Sequence, residues 1–169
     1  DVIYDSLSEA DKAWWDEMDQ YCEAVLLSES DLASGCTIYA SCSDVTREKA
    51  GWLGQAFRYS RPQYYFLNSA FSYYSDSIAI AYYPEFMTGI LRKNATMSVK
   101  EKFDSYLEQI DTSKDTEEIE KQITDIICNN VTYYSGDFNQ SLYSSLVLGK
   151  SVCAGYTMMT TALMNGVGI

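Results

Sequence analysis

Gly149-Lys150-Ser151-Val152-Cys153-Ala154-Gly155-Tyr156 runs directly into Thr157-Met158-Met159-Thr160-Thr161-Ala162-Leu163-Met164-Asn165-Gly166. Tyr156, Met159, Ala162 and Leu163 recur at three- and four-residue steps, which predicts a helix, and Asn165-Gly166 is a suitable stop. Cys153 then falls in or beside the first turn. The first N–H groups of a helix lack intrahelical partners and its aligned peptide dipoles leave partial positive charge there, so a thiolate at this position is favoured over a thiol. A thiolate attacks carbonyl carbon, and neighbouring N–H groups can hold the oxyanion that forms. Ala154 and Gly155 are small and are expected to leave room for a substrate. The bland alternative is a packed cysteine, since cysteine is among the most often buried residues.

Working outward, Asn129-Asn130-Val131-Thr132-Tyr133, then Gln140-Ser141-Leu142-Tyr143-Ser144-Ser145-Leu146, then Gly149 to Tyr156, and then Leu163 to Ile169 form an ordered series of blocks. Together, over roughly residues 119 to 169, they resemble the transglutaminase-like superfamily of papain-type cysteine enzymes. The resemblance implies a Cys153 nucleophile, with a histidine base and an orienting aspartate on strands that follow the nucleophile helix. It also implies that Tyr133, Gln140 and Ser141 lie near the nucleophile as oxyanion donors or pocket lining, together with Ala154, Gly155 and Tyr156. Tyr134 stands where relatives often carry aspartate. The chain contains no histidine, so the expectation is an N-terminal part of the core, cut before the histidine and aspartate strands and inactive alone. The intact protein is expected to perform acyl transfer or amide hydrolysis through a Cys153 thioester, as a protease, amidase or transglutaminase, with a protein or peptide substrate and no cofactor or metal. The alternative is a non-catalytic surface or adhesion module on the same scaffold.

Composition bounds these readings. The 169 residues carry 24 acidic and 12 basic side chains, a net charge of -12. That surface is expected to repel nucleic acid and anionic membranes. No run of about 18 apolar residues occurs, so no membrane insertion is expected. With the tyrosine-rich composition, the resemblance suggests a bacterial extracellular or cell-surface setting. Apart from Cys153, four cysteines remain, Cys22, Cys36, Cys42 and Cys128. They allow at most two bridges, a Cys36–Cys42 loop among them, or four reduced thiols.

Upstream, Leu7, Ala10, Trp14, Met18, Tyr21 and Val25 predict a helix over about Ser6 to Ser28, capped by Ser6 with Glu9, and with Trp14 rather than Trp15 central to the core. Thr37-Ile38-Tyr39 is a short strand candidate. Val45, Trp52, Leu53, Ala56 and Phe57 predict a helix from about Asp44 to Tyr59, capped by Ser43 or Asp44. Gln63 to Leu67, Phe71 to Tyr74 and Ser77 to Tyr83 are aromatic and β-branched, with breaks at Asn68-Ser69 and Ser75-Asp76, and read as a small antiparallel sheet. Arg61 to Leu67 with its hairpin loosely resembles a tyrosine-rich piece that precedes the core in bacterial relatives. Ser98-Val99-Lys100-Glu101 reads as a capping box, followed by a stripe of Val99, Phe103, Tyr106, Leu107 and Ile110. Asp115 or Thr116 starts a further helix carrying Ile119, Ile123, Ile126, Ile127 and Val131. Glu117, Glu118 and Glu120 in its first turn suit the dipole rather than a metal.

The fold class expected is α+β: mainly helical, with a small antiparallel tyrosine-rich sheet and the N-terminal part of a papain-like core. Residues 1–112 form a helical region with the sheet and 113–169 the core part, in one continuous domain. The missing sheet is expected to leave Met159, Ala162 and Leu163 in an exposed apolar patch, driving self-association or recruiting a segment that covers the cysteine helix.

Overall fold

A computed structural model describes residues 1–33 and 37–169. The chain is α+β and 57% helical, with one three-stranded antiparallel sheet. It comprises two compact units, Asp1–Lys93 and Asn94–Ile169, and their boundary falls within a helix. The Cys36 half of the suggested Cys36–Cys42 loop lies outside the described residues, and Cys22, Cys42, Cys128 and Cys153 are free thiols.

The first unit opens with α1 (Val2–Ser6) and α2 (Glu9–Leu27). The cap of α2 is Ser8, whose hydroxyl accepts the Asp11 N–H, whereas Ser6 ends α1; the expected single helix is two, because Leu7 is extended between them. Both Trp14 and Trp15 are fully buried, which corrects the assignment of Trp14 alone to the core. The two indoles share one partner, packing edge-on against Phe57 at 5.8 and 5.1 Å, so adjacent residues on α2 enter the same core. Aromatic pairs of this geometry add about 0.5–1.5 kcal/mol beyond their area burial.

Strand β1 (Thr37–Ser41) is followed by α3 (Arg47–Ser60), β2 (Leu67–Tyr73) and β3 (Ser77–Tyr82), and the sheet order is β1-β3-β2. The central position of β3 matches its buried run Ile78-Ala79-Ile80. Helix α3 starts later than expected: Thr46 caps it by accepting from Lys49 N–H, and Asp44 sits in the left-handed region at φ 51°. The buried face is therefore Ala50, Leu53, Gly54, Phe57 and Arg58, and Trp52, expected inside, is 53% exposed.

Tyr64, Tyr65 and Phe66, expected in a strand, are buried in turns instead, closed by hydrogen bonds from Tyr64 N–H to the Arg61 carbonyl and from Leu67 N–H to the Tyr64 carbonyl. Strand β2 runs through the expected break at Asn68-Ser69, with a register shift between Leu67 and Phe71. The Asn68 side chain makes this possible by donating to the Tyr82 carbonyl and accepting from Ala70 N–H, both at 2.7 Å, replacing ladder bonds that the irregularity removes.

A 3-10 turn (Pro84–Met87) leads into α4 (Gly89–Leu107). Ser98 to Glu101 lie inside α4 and start no helix; Asp31 accepts the Gly89 N–H at 2.7 Å, so a distant side chain supplies an acceptor at the true start. In the second unit the remainder of α4 is joined by α5 (Thr116–Asn130), which starts at the second of the two expected positions and is capped by Asp115, with Ile119, Ile123, Ile126 and Ile127 buried. Then come β4 (Thr132–Tyr133), α6 (Leu142–Leu146), β5 (Lys150–Ser151) and α7 (Cys153–Val167), with β4 and β5 paired in parallel.

Helix α7 does not stop at Asn165-Gly166. It continues to Val167, and Gly168 terminates it at φ 81°. Gly166 serves packing: a Cβ there would lie 2.8 Å from both Phe103 and Leu107 of α4. Met159 and Leu163 are fully buried and Ala162 nearly so. The exposed patch expected on α7 is thus absent, because α4, α5 and α6 cover that face within the same unit. The expected drive to self-association through it loses its basis.

Candidate functional site

The start of α7 is fixed by backbone pairing from three sides. Thr132 N–H donates to the Gly149 carbonyl and Tyr134 N–H to the Ser151 carbonyl, both at 2.9 Å, while Val152 N–H donates to the Asn139 carbonyl at 3.0 Å. Gly149 makes the turn into β5 at φ 64°, where a Cβ would also lie 2.8 Å from the Asn130 carbonyl oxygen. Within two residues of this frame stands Cys153, the first residue of a 15-residue helix, and it is exposed.

Val152, the residue before the helix, offers no side-chain acceptor. Gly155 and Tyr156 N–H both point back to the Val152 carbonyl, at 3.0 and 3.3 Å. The N–H groups of Cys153 and Ala154 have no acceptor among the described residues. Two unspent donors beside an exposed thiol can hold an oxyanion formed at that thiol. The thiol itself has no hydrogen-bond partner among the described residues.

Beneath this turn lies a buried serine cluster that sequence reasoning missed. Ser141, Ser144, Ser145 and Ser151 are at most 1% exposed. Ser144 and Ser151 hydroxyls are 2.7 Å apart; Ser144 is also 2.8 Å from the Ser141 carbonyl and Ser151 2.7 Å from the Asn139 carbonyl. Two protons serve three contacts, and each hydroxyl donates once. The Asn139 carbonyl has two lone pairs and accepts both the Val152 N–H and the Ser151 hydroxyl, while Ser144 lies within donating distance of both the Ser141 carbonyl and Ser151.

The Ser151 hydroxyl occupies the space a side chain at position 155 would need, 1.8 Å from the site of a Cβ. Gly155 therefore provides contact with Ser151 rather than the substrate room expected of it, and Ala154 is also buried. A glycine three residues before a helix's first buried methionine was the available signal, but its partner at Ser151 is set by the fold.

The other expected site residues divide. Tyr133 is 69% exposed and its ring lies 6.3 Å from that of Tyr156, one turn beyond Cys153. The Tyr156 hydroxyl donates to the Val131 carbonyl at 2.9 Å, tying α7 to the end of α5. Ser141 caps α6: its oxygen accepts from Ser144 N–H and its proton goes to the Phe138 carbonyl. That corrects its reading as an oxyanion donor. Gln140 is half-buried beside it. Tyr134 is exposed, with the Lys150 ammonium 5.5 Å over its ring.

The thiols are unequal. Burial pushes the Cys22 thiol up, with Asp19 adding to it, and burial also raises Cys42 against the opposing pull of Lys49. Cys128 and Cys153 are exposed. In the folded protein iodoacetamide should therefore alkylate Cys128 and Cys153 and spare Cys22 and Cys42, read by peptide mass mapping. Labelling of Cys22 at the rate of Cys128 would show that the α2 core opens freely.

Among the described residues no helix is long and apolar enough to cross a membrane. No protein-family model matches the sequence, and no curated protein matches it.

Proposed function

We propose that Cys153 is the nucleophile of a transglutaminase-like cysteine enzyme, acting on an amide or ester carbonyl of a protein or peptide at an extracellular or cell-surface location. The observation that carries the reading is an exposed thiol at the first residue of α7, beside two N–H groups with no acceptor among the described residues. The thiolate attacks the carbonyl carbon, the Cys153 and Ala154 N–H groups stabilise the oxyanion, and its collapse expels the amine or alcohol to leave a thioester. Water or a second amine then takes the acyl group.

Both proton transfers need a base, and the 169 residues contain no histidine. In this reading a histidine and its orienting aspartate come from outside these residues, and they rather than α7 set the turnover rate. The same lack of histidine suits the second reading, a binding module on this scaffold, in which Cys153 has no poised chemistry.

An activated ester separates the two. p-Nitrophenyl acetate needs no protonation of its leaving group, so the nucleophile and oxyanion donors suffice for acylation. The chain should release one equivalent of p-nitrophenolate in a burst, followed by slow deacylation. Cys153→Ala should abolish the burst, and Cys128→Ala, removing the other exposed thiol, should leave it intact. A burst that persists in Cys153→Ala, or no burst in the unaltered chain, favours the binding module.

A further inference from the structure

The first unit contains a cleft of about 390 Å³ between the C-terminal half of α2 and strand β1, its walls including Tyr21, Val25, Leu32, Ile38, Tyr39 and Tyr82. That volume falls in the range of small-molecule sites. Three of these residues are tyrosines, and two of them are exposed: Tyr21 is 47% and Tyr39 65% exposed. Among the described residues, none of the lining side chains is charged.

The walls are pinned. Glu17, one turn before Tyr21 on α2, accepts the Tyr21 hydroxyl at 3.2 Å and, through its other oxygen, the Ser41 N–H at 2.9 Å. A carboxylate is thereby held between the helix and the strand that form the cleft. Leu32 N–H is bound to the Met87 carbonyl at 2.8 Å, fixing the far wall. Arg92 donates to the carbonyls of Val25, Ser28 and Ser30, so its guanidinium is spent on the backbone and takes no place in the lining.

We infer that this cleft binds an organic cation of the alkylammonium class, seated against the Tyr21 and Tyr39 rings, with the Glu17 carboxylate behind the wall at the Tyr21 hydroxyl. Tyrosine faces attract cations through the negative face of the ring, and the attraction grows when the cation carries alkyl groups that lose little hydration. Elsewhere the chain already uses the contact: Lys12 lies 5.8 Å from the Tyr4 ring and Arg61 5.5 Å from the Trp15 ring. Neither Tyr21 nor Tyr39 has such a cation over its ring among the described residues. An apolar floor of Ala24, Val25, Leu32 and Ile38 suits the alkyl groups, and the chain's net charge of -12 favours approach of a cation.

The test compares choline with its uncharged isostere 3,3-dimethylbutan-1-ol, each titrated into the whole chain and followed by ligand-observed NMR. Shape and apolar area are matched, so the difference reports charge. Choline should bind saturably and the neutral isostere about fivefold or more weakly, with Tyr39→Ala and Glu17→Gln each weakening choline by about fivefold. Tyr39 is exposed, and Glu17→Gln keeps a side-chain oxygen that can accept at this position, so both variants should fold. Equal binding of the two probes, unchanged choline binding in both variants, or no saturation by choline overturns the inference.

Discussion

Arg92→Met unfolds the first unit at markedly lower denaturant, at an expected cost of about 3–5 kcal/mol. Arg92 is fully buried, and its guanidinium donates to the carbonyls of Val25, Ser28, Ser30, Phe86 and Met87 at 2.8 to 3.4 Å. Val25 and Ser28 belong to the end of α2, where backbone carbonyls lack intrahelical donors and carry partial negative charge. One side chain on α4 thus terminates α2 and holds the turn before α4 at the same time. Removing it takes the guanidinium donor from the Phe86, Ser28 and Ser30 carbonyls, while Val25 keeps the Ser28 N–H and Met87 the Leu32 N–H; a buried carbonyl left unpaired costs about 1–3 kcal/mol unless water enters. Lysine offers a point charge and cannot span the set, so Arg92→Lys should recover only part of the loss. The reporter is convenient, because Trp14, Trp15 and Trp52 all lie in the first unit and none in the second. Tryptophan fluorescence in urea therefore follows this unit alone; an unshifted midpoint in Arg92→Met would mean that water replaces the guanidinium at little cost.

Arg92 also marks where sequence reading ran out. Local periodicity located α5, its start to within one residue and its four buried isoleucines, because that helix satisfies its own start and has one apolar stripe. It located β1, and the turn at Ser75-Asp76 between β2 and β3, for the same local reasons. The misses share a cause: a distant group did what a neighbour usually does. Gly89 begins α4 against Asp31, fifty-eight positions away, so Ser98 looked like the better start. Trp15 is buried because Phe57, on another helix, accepts both indoles. Gly166 looked like a stop because the close approach of Phe103 and Leu107 cannot be read from its neighbours. At the candidate site, the position of Cys153 at the first residue of α7 was legible from spacing. The serine cluster under it was not, because Ser144 and Ser151 meet only once β5 and α6 have been brought together.

That cluster sets the second large effect, at Gly155. In Gly155→Ala the new methyl would stand 1.8 Å from the Ser151 hydroxyl, 2.8 Å from its Cβ and 3.0 Å from the Ser141 carbonyl oxygen. The hydroxyl has little freedom to retreat, being held between Asn139 and Ser144 at 2.7 Å each. Alanine gains about 1 kcal/mol over glycine in helix propensity, while overpacking costs typically about 1–3 kcal/mol and more where backbone must move. The clash should win, for a net loss of about 2 kcal/mol concentrated in the first turn of α7. Ser151→Ala alone is milder, about 1 kcal/mol, because Asn139 keeps the Val152 N–H and Ser144 keeps the Ser141 carbonyl as partners. Combining the two removes the worst contact, so the double variant should be more stable than Gly155→Ala, a coupling of about 1 kcal/mol between neighbours. Hydrogen exchange over residues 153–160 reads the local loss directly, and the p-nitrophenyl acetate burst reads its effect on Cys153: Gly155→Ala should lose both protection and burst, with Ser151→Ala restoring part of each. If Gly155→Ala keeps wild-type protection, the first turn of α7 does not rest on Ser151; if protection falls while the burst is unchanged, the thiol's reactivity does not depend on where that turn holds its N–H groups.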